Sequence, residues 1–593
     1  MKDFFKYMFA TVAGIFVFMI IMGILSMMSL VGILASAGST TTVKDNSVLV
    51  LNLNGIMEER AEDDVNSTLM GGVAESIGLD DVLKAVAKAK DNERIKGIYI
   101  EAGMFSADSP ASAQALRKAL AEFKKSGKWI VAYGDQYTQG TYYIASVADQ
   151  VWLNPKGMLD WHGLASEPYF LKDLMAKFGV KVQLAKVGAY KSAPEMFTAD
   201  QMSEKNREQV TAYINGIWDN MLNEVSASRK VSKDTLNAYA DRMVIFEDPE
   251  ALVKYKMVDK LLYNDEVKAE VKKLLGLKDD ENVPQLSVAD MQNVKEKLDK
   301  GDQVAVYYAY GDIVDDEASG LAMGGDHSIV GKETSRDLEA LMNDKDVKAV
   351  VLRVNSGGGS AYASEQIWHA VMKLREKKPV VVSMGGMAAS GGYYISCAAN
   401  WIVAEPTTLT GSIGIFGMFP DFSQLLTQKL GVKFDEVKTN RNANFGTRAR
   451  PFNEEEMSYL NMYIDRGYQL FRQRVADGRK QTVEAVENVA QGHVWLGQDA
   501  LKIKLVDQLG GLDEAVKKAA ELAKLEEYYT SPYPAKEDFM ETLTKMLDNS
   551  GGNYLDAQMR AALGEYYEPF MLMKSLDKQN PIQARIPFYM NIR

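Results

Sequence analysis

The second half of this chain repeats the first, and that limits the fold more than any single motif does. KGIYIEAG from Lys96 aligns with KAVVLRVN from Lys348, and TQGTYYIA from Thr138 with ASGGYYIS from Ala389. KFGVKV from Lys177 aligns with KLGVKF from Lys429, and EALVKYKMVDKL from Glu250 with DALKIKLVDQL from Asp499. The offset stays near 250 residues throughout, which chance matches would not do. A chain of 593 residues is also too long for one core. The fold is therefore two copies of one unit.

Each copy alternates strand and helix patterns. SVLVLNL, GIYIEA, WIVAYG and QVWLNP are short apolar or β-branched runs of the first half; QVAVYYAY, AVVLRV, PVVVSMG and NWIVAEP are their partners. Between them lie stretches such as SAQALRKALAEFKKSG and YASEQIWHAVMKLREKK, with apolar residues three and four apart. This alternation predicts an α/β fold of βαβ units around largely parallel, buried sheets. The first repeat is expected at residues 44–264 and the second at 301–539, joined by a charged connecting segment at 265–300. Residues 540–593 have no counterpart and form a tail; its aromatic and basic end, NPIQARIPFYMNIR, fits contact with a neighbour or a bilayer, with no mechanism attached.

The repeat acts as an internal control on polar groups. NSGGGS (Asn355–Ser360) follows a strand in the second half, where the first half reads roughly GMFSAD. Ser390 matches Gln139. The second half thus keeps a glycine-rich turn and a serine that the first half lacks. The reverse holds for VGAYKSAPEMF, whose Lys191 matches a position near Ala443 in VKTNRNANFGT. A serine in one copy and a lysine in the other suit a composite site between copies.

Composition narrows the classes. The net charge of −12, with both signs interspersed, gives no basic face for nucleic acid. One cysteine, Cys397, excludes an intrachain disulfide and a cysteine-based metal site; it reads as a buried small residue. With four histidines and no HExxH, a metallohydrolase is not expected, and no cofactor is called for. No charged residue lies between Lys6 and Lys44, and the apolar run there exceeds the roughly 20 residues that span a bilayer. Residues 1–43 are therefore expected to be a retained anchor, although Ala35-Ser36-Ala37 resembles a signal-peptide cleavage site. Lys2 and Lys6 place the N-terminus in the cytoplasm and the rest across the membrane.

A serine hydroxyl needs a base to become a nucleophile. No histidine here sits in a recognisable triad motif. Lysine serves only if burial lowers its pKa from about 10.4. Lys191 lies among Gly188, Ala189, Tyr190, Ala193 and Pro194, with no acidic residue within three positions on either side, which is compatible with desolvation. An ordinary surface lysine is the bland alternative. Attack on an amide also needs donors for the oxyanion. Gly358 and Gly359 in SGGGS can present backbone N–H groups, and Gly391 after Ser390 can present another. Alone, the glycine triplet is only a flexible turn; the triplet, the small-residue turn and the lone lysine in one duplicated frame form a coherent set.

Those residues carry a family resemblance. LRVNSGGGS (352–360), SMGGMAASGGYYIS (383–396), TLTGSIGIFG (408–417), VGAYKSA (187–193) and GHVWLGQDA (492–500) resemble the signal peptide peptidase A family in its long, membrane-anchored form. The resemblance covers nearly the whole chain. It implies that each repeat has the Clp/crotonase-like βαβ superhelix and that the activity is serine endopeptidase cleavage by a Ser–Lys dyad. Ser390 would be the nucleophile, Lys191 the general base, and Ser412 would position the lysine. Gly358 or Gly359 with Gly391 would form the oxyanion hole. Substrates would be cleaved signal peptides and other unfolded apolar peptides. The assembly would be a homo-oligomer, commonly a tetramer, in the bacterial inner membrane with its catalytic part in the periplasm. Single-copy members carry both residues about fifty positions apart, and Gln139 lies about that far before Lys191. One departure is Gly357, where the family commonly has a proline that stiffens the turn.

Two other classes share parts of this pattern. A crotonase-like acyl-CoA enzyme uses paired backbone donors, but needs a cytoplasmic cofactor and usually catalytic glutamates. A catalytically inactive, membrane-tethered scaffold for unfolded peptides would bind without cutting.

Overall fold

The structure is a computed structural model that describes residues 40–61, 76–294, 300–316, 327–536 and 582–585, with Tyr7, Gly14 and Phe18 as isolated positions. The expected anchor otherwise lies outside the described residues, among which no helix is long and apolar enough to cross a membrane.

Four parallel strands form the centre of the first repeat: β1 (Ser47–Glu58), β2 (Ile95–Ala107), β3 (Trp129–Tyr137) and β4 (Gln150–Leu159), side by side in that order. β5 (Lys181–Lys186) leaves this sheet. The second repeat begins with β6 (Asp302–Tyr310), β7 (Asp312–Val314), β8 (Val347–Ser356) and β9 (Gly358–Ser360). It continues with β10 (Val380–Ala389), β11 (Trp401–Ala404), β12 (Leu409–Gly411) and β13 (Phe416–Asp421). In its sheet β6, β8 and β10 are parallel neighbours, and β11 and β12 both pair with β10. The order β1-β2-β3-β4 is thus repeated as β6-β8-β10-β11. Parallel strands covered on both faces read as continuous apolar runs, as in VVVSM of β10, which is buried throughout.

The helices also come in matching sets. α1 (Pro110–Lys124) has the side chain of Ser109 accepting from the Ser112 N–H, and proline at its start. Short α2 (Gln139–Ala145) is followed by α3 (Glu204–Arg229), 26 residues long. In the second repeat, α4 (Ala361–Lys377) precedes short α5 (Gly391–Ser396) and α6 (Glu454–Arg479), again 26 residues. α3 and α6 both end on a lysine in the left-handed conformation, Lys230 and Lys480. Residues 265–300, expected as a connection, contain a helix at Asn264–Leu275 and a short strand, Gln285–Leu286, parallel to β1.

A third sheet mixes the repeats. β5 of the first repeat pairs antiparallel with β13 of the second, from Lys186↔Phe416 to Lys181↔Asp421. β14 (Ile582–Arg585) lies antiparallel between β9 and β13, and beyond β9 the six-stranded sheet continues through β7 to a strand at Ser328–Val330. The cores touch as well, because Leu409, Val494 and Leu496 of the second repeat pack into the first-repeat cluster. A buried ion pair bridges the sheets. Arg353 on β8 donates from Nε to Glu59 Oε1 at 2.6 Å and from Nη2 to Oε2 at 3.1 Å.

Candidate active site

Crossing of β5 onto β13 carries the following loop, with Lys191, into the second repeat. Backbone bonds fix that loop: the Tyr190 N–H donates to the Gln491 carbonyl at 2.9 Å. Gln209 on α3 braces it from the first repeat. Its Nε2 donates to the Tyr190 carbonyl (3.1 Å) and to Ser192 Oγ (2.9 Å), while its Oε1 accepts from the Val494 N–H (3.1 Å). One buried amide thereby ties the lysine loop to the segment after Gly492.

Lys191 has no exposed surface. Its Nζ lies 2.7 Å from Ser390 Oγ, 3.0 Å from Ser412 Oγ and 3.1 Å from the Ser412 carbonyl oxygen. All three partners belong to the second repeat, and no carboxylate is among them. Burial alone pushes the Lys191 amine well below its ordinary range near 10.5, because a charged ammonium would lose its hydration there.

Both serines are held in uncommon backbone conformations. Ser390 joins the end of β10 to α5 with φ 54° and ψ −113°. Its N–H donates to the Gly411 carbonyl at 2.8 Å, and its carbonyl accepts from the Tyr394 N–H at 2.8 Å. Ser412 has φ 48°, and its N–H donates to the His493 carbonyl at 2.7 Å. A positive φ on a residue with a side chain costs roughly 1–3 kcal/mol and persists where surrounding bonds over-determine it. Here those bonds aim two hydroxyls at one amine.

Of the expected oxyanion glycines, the fold brings Gly358 and Gly391 together. A Cβ on Gly358, which has φ 104°, would stand 2.7 Å from the Gly391 nitrogen. The Gly358 N–H itself donates to Ser356 Oγ at 3.1 Å. Gly359 faces Ile313 across the ladder with β7. Gln139, at the Ser390 position of the first repeat, closes its own corner: Nε2 donates to the Gly163 carbonyl (2.9 Å), and Oε1 accepts from the N–H groups of His162 (3.0 Å) and Gly163 (2.9 Å). Ala443, near the Lys191 position of the second repeat, is exposed.

Gln209 and Gly492 carry roles that the motifs alone did not assign. Gly492 has φ 79°, and a Cβ there would come within 2.6–2.7 Å of the Lys191 N, Cα and Cβ atoms. Gly492→Ala is therefore expected to displace the lysine and lower kcat about 10²-fold, as misplacement near 1 Å does. Steady-state kinetics on an unfolded peptide, with KM within a few-fold of wild type, checks this; an unchanged kcat would rule out tight packing of Gly492 on Lys191.

A family model described as "Peptidase family S49" matches residues 122–278 and 372–526, one stretch in each repeat. The chain belongs to peptidase family S49. Relatives agree along most of its length. "Protease 4" of Salmonella typhi is 37% identical over 563 residues, covering 92% of this chain and 88% of that protein. "Protease 4" of Haemophilus influenzae is 36% identical over 504 residues, covering 82% and 80%. "Serine protease SPPA, chloroplastic" of Arabidopsis thaliana is 30% identical over 488 residues, covering 82% and 70%. This S49 member is accordingly a serine peptidase of the signal peptide peptidase A/protease IV group, with two S49 domains in tandem. A "CoA-ligase" model also matches residues 286–403. That stretch holds the glycine-rich turn and Ser390 but leaves out Lys191 and Ser412, so it covers only part of the side-chain cluster described above.

Proposed function

We propose that this chain is a membrane-anchored endopeptidase that cuts cleaved signal peptides and other unfolded apolar peptides by a Ser390–Lys191 dyad. The observation that carries the reading is the buried 2.7 Å contact between Lys191 Nζ and Ser390 Oγ. A neutral amine has two N–H donors and one lone pair. Ser412 Oγ and the Ser412 carbonyl accept the two donors, which leaves the lone pair for the Ser390 O–H. Lys191 then takes that proton as Oγ attacks the peptide carbonyl, and gives it to the leaving amine. Backbone N–H groups at Gly391 and at Gly358 or Gly359 serve the oxyanion, the Gly358 N–H turning from Ser356 Oγ to do so. Each repeat is read as a Clp/crotonase-like unit.

The same reading makes the protein a homo-oligomer, with four copies expected, anchored by residues 1–43 in a bacterial inner membrane and facing the periplasm. Repeat symmetry supports the assembly. β5 of the first repeat docks on β13, but its counterpart at 433–438 belongs to no strand, with Val437 fully exposed. A neighbouring copy, offering the first-repeat counterpart of β13, completes the pattern head to tail.

The pH profile tests the dyad. Lys191 must be neutral to act, and it is neutral above its lowered folded pKa. Activity is therefore present from that value upward and falls about tenfold per pH unit below it. Measuring kcat/KM on an unfolded apolar peptide from mildly acidic to alkaline buffer checks the sign. A flat profile across that range would exclude a lysine base. Binding without cutting at every pH would favour the inactive scaffold.

A further inference from the structure

His493 joins the two halves of the site through both its ring and its backbone. The ring stacks on Trp495 with centroids 3.9 Å apart at 24°, and on Tyr190 with centroids 4.2 Å apart at 57°. Tyr190 belongs to the first repeat and immediately precedes Lys191. His493 immediately precedes the strand Val494–Leu496, which contains Trp495. In extended chain, residues two apart share a face, so His493 and Trp495 lie on one side while Gly492 packs on the Lys191 backbone from the other. The stack therefore crosses the seam between the repeats beside the lysine loop.

The backbone of the same residue grips Ser412. The His493 carbonyl accepts the Ser412 N–H at 2.7 Å, and the His493 N–H donates to the Ala490 carbonyl at 3.0 Å. Trp495 is fixed by its indole N–H, which donates to the Val489 carbonyl at 2.9 Å. On the far side Tyr190 donates from its hydroxyl to Glu208 Oε1 at 2.8 Å, and Lys205 Nζ donates to that hydroxyl at 3.1 Å. Hydrogen bonding does not explain the imidazole. Its Nδ1 is buried and has no hydrogen-bond partner among the described residues. The charged groups facing the ring, Lys205 and Glu208 of α3, pair with each other at 2.8 Å. Burial pushes the imidazole below its ordinary range near 6.5, so the ring is neutral at neutral pH and above. Its flat surface between two aromatic rings is what the fold uses.

We infer that His493 is a positioning residue of the site: its ring clasps Tyr190 while its carbonyl holds Ser412, which fixes the spacing between the Lys191 loop and the Ser412 oxygens. This rests on the dyad proposed above. Lys191 Nζ meets Ser412 Oγ at 3.0 Å and the Ser412 carbonyl at 3.1 Å, and these acceptors decide where its lone pair points. Without the ring, Tyr190 loses its partner across the seam and the loop gains freedom. Water then reaches the loop, and a hydrated amine is protonated more readily than a dry one.

Steady-state kinetics of the purified full chain on an unfolded apolar peptide, from mildly acidic to alkaline pH, tests this, with thermal melts of the same samples giving the folded fraction. His493→Ala is expected to lower kcat about 10- to 100-fold with KM within a few-fold of wild type. Its acid limb should move to higher pH by about one unit, as Lys191 becomes hydrated. His493→Phe restores a flat ring and should keep kcat within a few-fold, with the limb where wild type has it. Tyr190→Leu removes the other ring and should shift the limb in the same direction, which decides the matter even if His493→Ala does not fold. Activity that falls only with the folded fraction, with the limb unmoved in both His493→Ala and Tyr190→Leu, overturns the inference and leaves the dyad standing. A His493→Phe protein as slow as His493→Ala also overturns it, because an imidazole nitrogen and not the ring would then be needed. If wild type itself has no acid limb, the lysine base fails and this inference fails with it.

Discussion

Ser390→Ala is expected to lower kcat on an unfolded apolar peptide by at least ~10⁴-fold while the thermal transition stays near that of wild type. Among the described residues, the hydroxyl is the only group that contacts the Lys191 amine by a hydrogen bond besides those of Ser412, and Ser390 is held there by its own backbone. Alanine keeps the backbone bonds of Ser390 to Gly411 and Tyr394, so folding should change little. Lys191→Ala should cost a similar factor, since the serine then has no base. Because the two act as one unit, the double variant should be no slower than the worse single variant. Single-turnover kinetics on the three variants measures this. A Ser390→Ala protein within tenfold of wild type would remove Ser390 from the chemistry, and additive losses would mean that Ser390 and Lys191 act separately.

Much of this site was legible because the chain is duplicated. Comparing the halves showed that one kept Ser390 and the other Lys191, and the fold sets their side chains 2.7 Å apart. The strand positions in each repeat followed from periodicity, since buried parallel strands announce themselves as apolar runs, whereas their order in the sheet came only from the fold. What stayed hidden depends on pairing over long sequence distances. Nothing local in KVQLAK says that β5 leaves its own sheet for β13. Both faces of that segment suit either partner, and the register is settled by tertiary contacts. For the same reason the strand within residues 265–300 was missed: Gln285–Leu286 is two residues long and gains its place only against β1. The tail motif offered aromatic and basic residues but no period, so its strand between β9 and β13 could not be read. Gln209 looked like any polar residue of an amphipathic helix, although its amide joins the Lys191 loop to Val494. Gly492 was visible within GHVWLGQDA, yet only its left-handed φ and the nearby lysine backbone explain why no side chain is there.

A site shared between repeats is only as firm as their docking, and the Glu59–Arg353 pair is where that docking is most exposed to mutation. Both side chains are about 5% accessible, and the guanidinium meets the carboxylate through two nitrogens. Glu59→Ala is expected to destabilise the protein by ~3–5 kcal/mol, because it leaves a buried guanidinium without its counter-charge. The Ser383 hydroxyl and the Met384 carbonyl, which accept from Arg353 Nη1 at 3.0 and 3.1 Å, supply no negative charge. Asn355 joins the same cluster, donating to Asp108 at 3.0 Å, so the loss is also felt where the first-repeat sheet ends. Replacing both partners by apolar residues, as in Glu59→Met with Arg353→Met, should recover most of that stability, since desolvation of a buried pair nearly cancels its attraction. Urea unfolding at neutral pH measures each cost. Activity is expected to fall in Glu59→Ala at urea concentrations below the unfolding midpoint, because separating the repeats withdraws Lys191 from Ser390 before either core melts. A loss under 1 kcal/mol, or activity that tracks global unfolding alone, would show that the repeats are held by their apolar contacts at Leu409, Val494 and Leu496 and that the ion pair adds little.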